Sequence, residues 1–74
     1  MQQLVSLLVK ELAIKAKIDE DTPLVSSGIV DSLKFADLLA VLGRHYGVTI
    51  DPNDVGTDNF DTPAQMLAYV KARQ

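Results

Sequence analysis

The stretch DSLKFADLLAVLGRHYG, residues 31–47, decides the fold. Leu33, Leu38, Leu39, Leu42 and Tyr46 are taken as an apolar helical face, with Phe35 partly buried beside them. Asp31 stands just before this run, where a carboxylate accepts the free amides of a first helical turn. Gly47 follows it, where helices commonly end in a left-handed residue. The segment is predicted as a helix from Ser32 to Tyr46.

Outward on the N-terminal side, residues 19–31 read as loop, punctuated by Pro23 and Gly28. Leu24, Val25, Ile29 and Val30 should fold back onto the core and hold it. A loop of this length in so small a chain is unusual, and long ordered loops often carry function. Before it, Leu4, Leu8 and Leu12 recur at four-residue spacing, with Val5 and Val9 beside them. Ile14 and Ile18 extend the stripe, which predicts a first helix over 2–17.

On the C-terminal side, Val48-Thr49-Ile50 is a short extended piece and Asp51-Pro52-Asn53-Asp54 a turn. Val55 to Phe60 is assigned one irregular helical turn. Thr62-Pro63-Ala64-Gln65 combines a capping residue, proline at the first helical position and glutamine three after the cap. Met66, Leu67, Tyr69 and Val70 give that last helix its buried face. The expectation is a single all-α domain over residues 1–74. It is a small three- to four-helix bundle with a long loop between the first and second main helices.

The 74 residues are 47% hydrophobic, enough for one core. In a chain this short, ordering entropy of roughly 1.5 kcal/mol per residue nearly cancels what burial returns, so helix packing must be efficient. There is no cysteine, which excludes disulfides and thiolate metal sites and suits a reducing cytoplasm. The net charge of −3 argues against nucleic acid and against an acidic membrane surface. Six aspartates in residues 31–61 face only Lys34 and Arg44, which favours partners with a basic docking face. Met1 to Val9 is apolar, lacks a basic flank and is too short to span a bilayer, so it reads as a packed helix. Met1 and compact ends suggest a discrete protein, expected to be a monomer without membrane insertion.

Ser32 is the residue with a chemical question attached. An isolated Asp-Ser-Leu is most often an ordinary helix start. Here Asp31 already fills the capping role, a long loop precedes the serine, and the positive end of the helix dipole would favour a phosphate attached there. A nucleophilic role would need an adjacent base and an oxyanion hole. The sole histidine, His45, is 13 residues along the same predicted helix, about 20 Å away at 1.5 Å per residue. Lys34 points to a different face. Attachment is therefore the better reading, and no catalytic residue is assigned. Asp51-Pro52-Asn53-Asp54-Val55-Gly56 begins like a calcium loop, but Val55 and Thr62 occupy positions that need oxygen ligands. No metal site is assigned, and only weak cation screening of Asp54, Asp58 and Asp61 is left open.

Nearly the whole chain resembles the acyl carrier and peptidyl carrier protein family. The resemblance rests on Asp31-Ser32-Leu33 with Gly28 three before the aspartate, and on Leu38-Leu39 in the second helix. The Tyr46-Gly47-Val48-Thr49-Ile50 exit and the Thr62-Pro63 helix start support it. It implies a non-enzymatic carrier with a covalent 4′-phosphopantetheine on Ser32, transferred from coenzyme A by a phosphopantetheinyl transferase. The arm's thiol would bear an acyl or aminoacyl thioester. A loading ligase and downstream transferases of a lipid, polyketide or peptide pathway would be the other partners. Asp31 and Leu33 would be read by the transferase. Helical periodicity places Lys34, Asp37, Ala40 and Val41 toward the less buried side of the second helix, for successive partners.

Carriers of primary fatty acid synthesis typically have a strongly acidic second helix. Residues 32–46 instead carry Lys34, Asp37 and Arg44, a formal net of +1 with His45 neutral. This favours a specialised discrete carrier, and the Gly-Ile-Val-Asp-Ser-Leu form is similar to stand-alone carriers loaded by adenylating ligases, including aminoacyl and D-alanyl carriers. The competing readings are a small helical interaction module without a prosthetic group, and a serine hydrolase.

Overall fold

A computed structural model describes residues 2–74. Among the described residues four α-helices follow one another, α1 (Gln2–Glu11), α2 (Ser32–Tyr46), α3 (Thr57–Phe60) and α4 (Pro63–Arg73), with a 3₁₀ turn at Pro52–Asp54. No strand occurs among the described residues. The chain is the small all-α bundle expected, with the long loop between α1 and α2.

Each helix end has a local cause. Asp31 caps α2, its Oδ1 accepting the Lys34 N–H at 2.8 Å. Gly47 ends α2 at φ 66°, a left-handed conformation that glycine adopts without a Cβ penalty. Thr62 and Gln65 form a reciprocal capping box at α4, with Pro63 at the first helical position. The two bonds are Gln65 N–H to Thr62 Oγ1 at 3.2 Å and Thr62 N–H to Gln65 Oε1 at 3.1 Å.

Among the described residues the buried core is wholly apolar. Leu4 and Leu8 of α1 meet Leu38 and Leu42 of α2, Phe60 of α3, and Met66 and Val70 of α4. Leu24 and Val30 of the loop are buried in the same cluster, as their sequence predicts, and Val25 and Ile29 are half-buried. The loop is thus part of the fold rather than a tether. Its Leu24 N–H donates to the Asp61 carbonyl at 2.7 Å, and the Ala64 N–H donates to the Glu20 carbonyl at 3.0 Å.

Three expectations need correction. The first helix stops at Glu11, not near residue 17. Ala13 adopts φ 52°, and the Ile14 N–H reaches back to the Val9 carbonyl at 3.1 Å, closing a Schellman-type turn. On a continuous helix Leu12 and Ile14 would lie about 200° apart and could not share one core. The turn at Ala13 buries both. Leu33 does not join the apolar face of α2, and its surface is 80% exposed. It precedes Asp37 and Ala40 by four and seven residues, so it shares their open face. Val41, assigned to the less buried side, is only 7% exposed. It follows Leu38 by three residues and adjoins Leu42, which puts it on the edge of the buried stripe.

Ala13 yields a stability prediction. A left-handed non-glycine residue costs about 1–2 kcal/mol, against which glycine adds about 0.4–1 kcal/mol of unfolded-chain entropy. Ala13→Gly should therefore stabilise the fold by about 0.5–1 kcal/mol. A higher midpoint in urea unfolding checks this.

Candidate functional site

Ser32 is the first residue of α2, and it is exposed together with Asp31 and Leu33. Asp31 sits in extended backbone (φ −84°, ψ −177°), which turns its carboxylate over the first turn. Its carbonyl accepts the Phe35 N–H at 2.7 Å. The cap is complete without Ser32, so the serine side chain has no structural task at the helix start. The first turn of α2 contains no acidic side chain. An anion bonded to Ser32 Oγ would meet the positive dipole end of a 15-residue helix. These residues fit a phosphodiester.

They do not fit a hydrolytic centre. His45 lies in the last turn of α2, exposed and edge-on to Tyr46 at 4.9 Å between ring centroids. Nor do the acidic residues converge on a cation. Among the described residues no group of three or more His, Cys, Asp or Glu side chains is placed to hold a metal. Asp54 instead accepts the Tyr69 hydroxyl at 2.7 Å and pairs with Arg73. Tyr69 accepts the Asp51 N–H at 3.2 Å, and the Arg73 guanidinium lies 4.7 Å above its ring. Burial first, and then the Asp54 hydrogen bond, hold the Tyr69 phenol above its ordinary pKa.

Of the other α2 positions singled out, Asp37 and Ala40 are exposed and Lys34 is half-buried. With Leu33 they lie along the open side of the helix that starts at Ser32. Ala40 borders an open apolar groove of about 350 Å³, shared with Leu39, Gly43, Ile50, Pro52 and Val55. A larger hollow of about 680 Å³ lies between α1 and the loop, lined by Gln2, Val5, Ser6 and residues 18–21. No residue of the Asp31–Leu33 segment lines it.

Asp61 is the residue that sequence reasoning missed. Its Oδ1 accepts the N–H groups of Val25 at 3.0 Å and Ser26 at 2.9 Å, and its Oδ2 accepts the Ser26 hydroxyl at 2.6 Å. These partners are 35 and 36 residues away, so no local pattern signals them. The Ser26 hydroxyl first, then the Ser26 amide, hold the Asp61 carboxyl below its ordinary pKa of 3.8. A depressed carboxyl stabilises the fold fully above its unfolded pKa and loses that contribution as pH falls through the lower folded value. Urea midpoints should therefore fall on acidification below 3.8, and Asp61→Asn should remove part of that slope.

The family model described as "Phosphopantetheine attachment site" matches residues 2–70. The chain belongs to this family. It is a carrier and not an enzyme, as members of the family are. The carrier is 33% identical over 75 residues to a D-alanyl carrier protein of Abiotrophia defectiva, covering 99% of this chain and 95% of that protein. It is 26% identical over 73 residues to D-alanyl carrier proteins from two strains of Lactobacillus delbrueckii subsp. bulgaricus, covering 99% of this chain and 91% of theirs. No helix among the described residues of the carrier is long and apolar enough to cross a membrane.

Proposed function

We propose that Ser32 Oγ bears the 4′-phosphopantetheine and that the cargo is an amino acid, D-alanine, held as a thioester. The observation that carries the first part is Ser32 itself, exposed at the first position of α2 while Asp31 does the capping. The relatives named for D-alanyl transfer, matched over nearly their full length, support the second. When bound, the group supplies the thiol that a chain without cysteine lacks. This chain's own residues would hold it: α2 presents Ser32 outward, and the positive end of the α2 dipole would favour the phosphate.

The partners are a phosphopantetheinyl transferase, an adenylating ligase that loads the amino acid, and a downstream transferase. They would read Asp31 and Leu33 beside the serine, and Lys34, Asp37 and Ala40 along α2. The near-neutral charge of that helix suits a specialised set of enzymes rather than a strongly basic docking face. Residues 1–74 act as one monomeric carrier domain, in the cytoplasm where coenzyme A and ATP are supplied.

Intact mass spectrometry tests the reading. Incubation with coenzyme A and a broad-specificity transferase should add the mass of one phosphopantetheine. The product, given ATP and a D-alanine-adenylating ligase, should gain one alanyl residue, and hydroxylamine should release it. No gain in the first step overturns the attachment. A first gain with no alanyl loading, but loading by a fatty-acyl or other ligase, overturns the cargo alone.

A further inference from the structure

The loop ahead of Ser32 closes on itself and is tied down from outside. The Val30 N–H donates to the Leu24 carbonyl at 2.9 Å, and the Gly28 N–H to the Val25 carbonyl at 3.1 Å. Gly28 takes φ 84° to make that turn, which a side chain would resist. Asp61 grips this ring at Val25 and Ser26 through the three bonds described above. Its own N–H donates to Gln65 Oε1 at 2.8 Å, so the capping box of α4 aims the carboxylate. Ser26, Ser27 and Gly28 are exposed, and the chain leaves the ring at Val30, two residues before Ser32.

We propose that Asp61 is a positioning residue for the modification of Ser32, holding the 25–29 ring in the shape that the transferase meets alongside the serine. The inference rests on Ser32 being the attachment residue. Without the three side-chain bonds the ring keeps its Leu24 N–H bond to the Asp61 carbonyl but samples more conformations at Val25–Ile29, and ordering these on contact subtracts from binding. Asp61 touches no reacting atom, so its loss weakens recognition of the whole carrier rather than the chemical step. That is the signature of a raised KM with unchanged kcat.

The test is steady-state phosphopantetheinylation of the full chain, with coenzyme A saturating and the carrier varied. Asp61→Ala should raise the carrier's KM about tenfold, the weight of about one to two lost hydrogen bonds, with kcat within about twofold. Asp61→Asn keeps an oxygen for the two amides and should recover most of the loss. Ser26→Ala removes one bond from an exposed side chain and should raise KM about two- to threefold, which keeps the test open if Asp61→Ala does not fold. Folded Asp61→Ala or Ser26→Ala protein with wild-type KM overturns the inference, as does an equal loss in the alanine and asparagine variants. A wild-type chain that accepts no phosphopantetheine overturns the Ser32 reading itself, a separate outcome from modified wild type with unaffected variants.

Discussion

Ser32→Ala protein should gain no phosphopantetheine under conditions in which the wild type is fully converted, and its folding should be unchanged. The two halves of this expectation have separate causes. Modification needs one hydroxyl oxygen, and neither Ser26 nor Ser27 stands at the start of a helix whose dipole would favour the phosphate. Folding does not need that oxygen, because the cap of α2 is made by Asp31 to the Lys34 N–H. Alanine is the best helix former, and an exposed change of this kind stays within about 0.5 kcal/mol. Intact mass and a urea unfolding curve on the same preparation check both halves. Unchanged mass gain in Ser32→Ala would move the attachment elsewhere. The interaction-module reading makes the opposite prediction, pathway activity intact in Ser32→Ala, so the same variant separates the two.

Phe60→Ala should have the largest effect on stability. Phe60 is fully buried although α3 has only four residues and no side-chain cap. Its ring centroid is 4.8 Å from that of Tyr69, and 6.5 Å from that of Phe35 in an edge-on contact. A helix of one turn has no stability of its own, so α3 persists by this insertion and by packing on α4. Truncating a buried phenylalanine costs about 3–5 kcal/mol. A chain of this size has about 4–11 kcal/mol in total. The variant should therefore lose about a quarter or more of its stability and be largely unfolded at the low end. Urea unfolding measures this, and a loss below about 1 kcal/mol would mean that α3 is held by something else.

Much of α2 and its serine was legible from residues 31–47. Capping depends on atoms within a few residues of each other, so Asp31 with Lys34, Gly47 with Gly43, and Thr62 with Gln65 are written locally. The placement of Leu33 was also available from spacing, since it shares a face with Asp37 and Ala40, but an apolar side chain suggested the core. That leucine is instead exposed beside Ser32. The end of α1 was less legible. Neither glycine nor proline marks it, and alanine at position 13 is an ordinary helix residue. It turns left-handed because the core takes both Leu12 and Ile14, a demand that arises only once α2 and α4 are in place.

The amino-acid sequence by itself determined the helical class, both ends of α2, the start of α4 and the serine placed at the α2 entrance. These follow from side chains acting on amides one turn away and from apolar spacing along one helix. The tertiary structure alone decided where α1 stops and that Asp61 ties the loop ahead of Ser32 across 35 residues of chain. Those are contacts between segments distant in sequence, and no local spacing encodes which carboxylate will find which amide.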